Sequence, residues 1–150
     1  MRARLSVALV AEARSWIGTP YCHAASVKAV GCDCLGLVRG VWRAVLGAEP
    51  EVPTPYRAGW IDTPGEERLR DAARRHLLEL SLDEFDAGDV LLFRWRDHLP
   101  AKHIGIATSK TQMVHAHEGA CVAEIALAPW RRRLVHAFRF PMPQNEDEAR

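Results

Sequence analysis

Apolar residues recur at helical spacing from the start of this chain. Leu5, Leu9, Ala13, Trp16 and Ile17 share one side of a helix of about four turns. Gly18-Thr19-Pro20 predicts its end, because glycine suits a helix C-terminus and proline cannot continue one. Residues 21–33 have no period and read as a loop. Val38, Val41, Trp42, Val45 and Leu46 then repeat every three or four positions, which predicts a second helix closed by Gly47. Residues 48–63, with Pro50, Pro53 and Pro55, read as a long irregular connection of the kind that often carries a function, and Trp60 within it is placed to line a groove. Pro64-Gly65-Glu66-Glu67 predicts the start of a third helix running to about Leu80, with proline and acids in its first turn.

After Asp86-Ala87-Gly88-Asp89 the pattern changes to short runs rich in β-formers and bounded by turn residues. These runs are Val90–Phe93, Ile104–Ala107, Met113–His115, Cys121–Leu127 and Leu134–Phe140. Helices first and strands afterwards predict an α+β domain, with N-terminal helices packed on a mainly antiparallel sheet. One domain is expected over residues 1–143, followed by a polar, acidic and disordered tail at 144–150.

Composition narrows the function classes. Hydrophobic residues make up 48% and charged residues 26%, the proportions of an ordinary globular domain. The formal charge of +1 supplies no field for nucleic acid or a membrane surface. The local run Arg131-Arg132-Arg133 either holds an acidic partner or forms a solvated turn before the last strand. No apolar run approaches the roughly 20 residues of a membrane span. The first residues mix charge with apolar side chains, so no secretion signal is expected and synthesis in the cytoplasm is. In that setting four cysteines argue against a disulfide scaffold. Cys22, Cys32, Cys34 and Cys121 also lack the two close pairs of a structural zinc site, so neither metal nor cofactor is expected. Cys32, close to Cys34, reads as a small loop hydrophobe or as a redox partner.

Asp33-Cys34-Leu35-Gly36 falls where a loop meets the second helix. A cysteine there faces unpaired backbone N–H groups and the positive end of the dipole, which favour the thiolate nucleophile. The same groups can hold the oxyanion formed when a carbonyl is attacked. His103 opens a strand, and His115 stands on the next. If those strands are antiparallel neighbours, one histidine can serve as base while the other orients it. His117 shares the strand face of His115 and rivals it for that place. Gly88-Asp89 is a chemically mute turn between the cysteine and the histidines.

Taken in order, Gly18-Thr19-Pro20-Tyr21, Asp33-Cys34-Leu35-Gly36-Leu37-Val38, Gly88-Asp89-Val90, His103-Ile104-Gly105-Ile106 and His115 resemble the NlpC-type bacterial cell-wall peptidases. The versions carried by phage tails and gene transfer agents are the most similar, and the resemblance spans roughly residues 13–117. It implies a papain-like fold and a cysteine peptidase that hydrolyses peptidoglycan stem peptides, often beside D-glutamate and a diamino acid. It makes Cys34 the nucleophile, His103 the base, His115 the orienting third member and Tyr21 an aid to the oxyanion. Asp33 would bind a substrate amine or, equally, cap the helix. It further implies partners in a phage-like tail or baseplate, which would carry the enzyme to the periplasm of a recipient cell. The alternatives are a structural tail component that kept the fold without the activity, and an acyltransferase or deamidating relative using the same dyad. Two departures stand out. Leu35 replaces the usual serine, and Cys22-His23-Ala24-Ala25-Ser26 replaces a Trp-Gly-Gly segment, which leaves the bond cleaved open.

Overall fold

The computed structural model describes residues 1–53 and 65–143. The expected tail, the start of the third helix at Pro64 and the groove role of Trp60 lie outside those residues. Helix α1 (Arg2–Ser15) buries Leu5, Leu9, Val10 and Ala13, and Trp16 just beyond it is almost fully covered. Gly18 follows with a φ of +91°, a left-handed conformation that glycine adopts without steric cost. Residues 21–33 are more ordered than a loop. Strands β1 (Ser26–Val27) and β2 (Gly31–Cys32) form a small antiparallel ladder there.

Helix α2 (Cys34–Val45) packs against α1, and its Gly40 meets Trp16 at the end of that helix. A Cβ at Gly40 would stand 2.0 Å from Trp16 Cζ2, so no larger residue fits this crossing. Helix α3 (Arg68–His76) is shorter than its pattern predicts. Leu78–Leu80 leaves the helix as strand β3 and pairs with the C-terminal strand, Leu78 opposite Arg139 and Leu80 opposite Ala137. Leu and Glu favour helix locally, but a free sheet edge offers this segment backbone partners that a longer helix would not.

The remaining strands are β4 (Val90–Phe93), β5 (His103–Ala107), β6 (Gln112–His115), β7 (Ala123–Ala126) and β8 (Leu134–Arg139). Among the described residues they make one antiparallel sheet in the order β3-β8-β4-β5-β6-β7. The arginine run lies in a 3-10 turn, Ala128–Arg133, that leads into β8.

The unbroken apolar run of β4 has a direct cause, since the sheet is covered on both faces. Val90, Leu92, Ile104, Ile106 and Val114 join the helices in one core, while Leu91, Phe93, Ala107 and Met113 join Phe85 and Leu127 in another. Asp89, 1% exposed, locks the edge of this arrangement. Its carboxylate accepts two bonds from Arg139, at 3.0 and 2.8 Å, and one from Asp86 N–H. The Gly88-Asp89 turn thereby ties the start of β4 to the end of β8, and its contribution is structural.

Candidate active site

Asp33 fixes the start of α2. Its Oδ1 accepts from Gly36 N–H at 2.7 Å, closing the N-cap, and its Oδ2 accepts from Ala24 N–H at 2.8 Å. The departing loop is thus tied down by the residue that begins the helix. Ala24 takes a φ of +60°, an uncommon conformation for a residue with a side chain. Gly36 is needed for the same closeness, because a Cβ there would sit 1.9 Å from the Ala25 carbonyl oxygen. Both carboxylate oxygens of Asp33 serve the backbone, which is the capping role of the two that the sequence allows.

Cys34 is the first residue of the helix and is partly covered. The backbone N–H groups of Ile104, Leu35 and Cys34 itself act on its sulfur and lower the pKa of the thiol. Two of these donors belong to the helix start, and one comes from the second residue of β5, immediately after His103. All three favour the thiolate. Burial, with the Asp33 carboxylate second, outweighs them and pushes the thiol up to about 12. The balance favours the thiol over the thiolate. Tyr21 is half-buried nearby. Burial, followed by the charges of Cys34 and Asp33, pushes its phenol up to about 12, so it remains a donor.

His103 and His115 meet as strand neighbours. The register sets Gly105 opposite His115, one diagonal step from His103, and His103 Nε2 lies 2.8 Å from His115 Nδ1. Each residue is 5% exposed. Burial, with His115 and His117 adding to it, holds His103 well below the usual histidine range; burial and His117 bring His115 down to about 4. Both rings are therefore neutral near neutral pH. A proton on His103 Nε2 donated to His115 leaves His103 Nδ1 as a lone pair able to accept a proton. His117 also belongs to the cluster, with ring centroids 5.8 Å from both His103 and His115. Its Nδ1, however, donates to the Glu118 carbonyl at 3.1 Å. Of the two rivals, His115 is the one bonded to His103.

Three residues around this pair escape a motif reading. Trp95 and Trp130 stack on His103, with centroids at 5.5 and 5.4 Å and interplanar angles of 27° and 28°. Arg133 lies over both tryptophans. One signal pointed to Trp95: it continues the alternation of Leu91 and Phe93. Trp130, 27 residues beyond His103, had none. Cys32 is fully buried beneath the site, and Cys22 and Cys121 are exposed.

A cysteine at a helix start, set against a histidine on an antiparallel sheet, places this chain in the papain-like class of α+β folds. A model of the NlpC/P60 family matches residues 18–139, and the chain belongs to that family. The NlpC/p60 domain of the peptidoglycan hydrolase SagA is 25% identical, with a TM-score of 0.65 over 91% of this chain and 98% of that one. An NLP/P60-family protein from Staphylococcus aureus, described as similar to a lipoprotein, is 19% identical with a TM-score of 0.67. An NlpC/P60-family protein from Bacillus cereus is 16% identical with the same TM-score. The alignments cover 97% and 90% of this chain but only 43% and 40% of those two proteins. No curated protein matches the chain by sequence.

Proposed function

We propose that this protein is a cysteine peptidase that hydrolyses peptide bonds in peptidoglycan stem peptides. The observation that carries the reading is Cys34 at the first position of α2, which packs against β5, the strand opened by His103 of the bonded His103–His115 pair. His103 Nδ1 takes the thiol proton as the sulfur attacks the carbonyl carbon. The oxyanion forms among backbone N–H donors, with the Tyr21 hydroxyl as a further donor. His103 then gives its proton to the leaving amine, the C–N bond breaks, and an acyl-enzyme remains. Water, deprotonated by the same ring, attacks the thioester and releases the acid and the thiol. His115 accepts from His103 Nε2–H throughout and steadies the imidazolium.

Delivery by a phage-like tail, to open a recipient's cell wall, belongs to the same reading and rests on the resemblance of the motif set. The test is to incubate the protein with purified peptidoglycan and identify the released muropeptides, with Cys34→Ala beside it. Fragments made by wild type and absent with the variant support the peptidase. No fragments from either, with particles assembling only when the protein is present, would favour the structural role. Co-purification with tail particles tests delivery.

A further inference from the structure

The geometry points to a carboxylate-binding subsite built from Arg133, Trp95 and Trp130, which selects substrates whose leaving-group residue carries a carboxylate. This rests on the peptidase reading above. Arg133 differs from most arginines of the described chain. Arg39 and Arg43 pair with Glu49, Arg70 and Arg74 with Glu79, and Arg139 with Asp89. Arg133 is exposed and meets two aromatic faces instead, its guanidinium carbon 5.3 Å from the Trp95 centroid and 5.7 Å from that of Trp130. Among the described residues no carboxylate pairs with it. A guanidinium held near aromatic rings in this way keeps N–H groups that can meet a bidentate anion.

The location gives the subsite its meaning. The two rings beneath Arg133 are the rings stacked on His103, so the cation stands one aromatic layer from the base. His103 must protonate the leaving nitrogen, so the residue bearing that nitrogen lies against His103 and its surroundings, whereas the acyl portion extends past Cys34 and Tyr21. A carboxylate on the leaving residue would then meet a cation already fixed in place, with little further entropy to lose on binding. Arg131, two residues earlier, is instead committed to the Lys110 carbonyl at 2.9 Å.

The test uses two peptides that differ by one charge: L-Ala-γ-D-Glu-L-Lys with a free C-terminal carboxylate, and its C-terminal carboxamide. Wild type should favour the carboxylate by about 10- to 100-fold in kcat/KM, mainly through KM, as a charge-assisted bond allows. Arg133→Gln should erase that preference by raising KM for the carboxylate peptide alone, and Arg133→Lys should recover part of it. Equal losses on both peptides would show a merely structural arginine and overturn the proposal, as would a wild type that does not distinguish them. Binding of the same peptides to the Cys34→Ala protein, read by tryptophan fluorescence, separates this proposal from its premise. A carboxylate preference lost in Cys34→Ala/Arg133→Gln supports the subsite even where neither peptide is cleaved; equal binding sinks it.

Discussion

The proposed nucleophile and its proposed base are held by opposite kinds of force. Cys34 sits in a polar frame of backbone groups: a helix start, a carboxylate cap and a loop bent through a left-handed alanine. His103 sits in a dry stack of rings, touched by Phe93, Trp95, Trp130 and His115. The first frame is directional and sensitive to single atoms. The second is set by burial and ring contact, and it keeps the imidazole neutral. The comparison teaches a division of labour: the helix start and its cap orient the cysteine, while burial among rings keeps the imidazole uncharged.

The largest test of this contrast removes one member from each side. Cys34→Ala should abolish turnover, and His103→Ala should lower kcat by about 10³-fold, both with the fold retained by circular dichroism. If His103→Ala kept near-normal turnover, the base would lie elsewhere. Next comes the choice within the stack. His115→Ala should cost about 10²-fold in kcat and His117→Ala less than about 10-fold, because only His115 bonds His103. The reverse order would transfer the third place to His117.

The polar frame should show itself mainly in stability. Asp33→Ala removes a buried cap and should cost about 1–2 kcal/mol in denaturant unfolding, and Gly36→Ala at least as much because its Cβ meets the Ala25 carbonyl. The smallest effect is a pH dependence. The folded pKa values of His103 and His115 lie below the ordinary 6.5, so between the two the unfolded chain binds more protons. The stability from keeping these rings neutral is complete above about pH 6.5 and falls as pH drops toward about 4. Thermal melts should show Tm lower at about pH 5 than at about pH 7, with a smaller difference in His115→Asn. A flat Tm would mean that the rings are not buried as neutral species.

Much of this was legible in the chain because its signals are local. The period of Leu5, Leu9 and Ala13 gave α1, the run from Val38 to Leu46 gave α2, and the turn residues bracketed β4, β5 and β6. The spacing of His103 and His115 foretold their meeting, because adjacent antiparallel strands permit it. What failed depended on distant partners. Leu78–Leu80 became a strand only because β8 offers an edge, which no neighbouring residue announces. Arg133 reads as a solvated turn until Trp95, 38 residues earlier, is folded beneath it. The thiol's high pKa was hidden likewise, since a helix start signals ionisation while the depth of burial comes from the whole sheet.

Between β5 and β6 the chain turns through only four residues, Thr108–Thr111, and that length enforces a register. It lets Thr108 N–H reach the Gln112 carbonyl at 2.9 Å and thereby sets Gly105 across from His115. One residue added to that turn would slide β6 by a single position, present Val114 or Ala116 to His103, and rotate His115 to the other face. The length of that four-residue turn thus matters to the meeting of the two histidines as much as either ring does. In relatives of this chain, insertions should be tolerated almost anywhere along the surface before they are tolerated there.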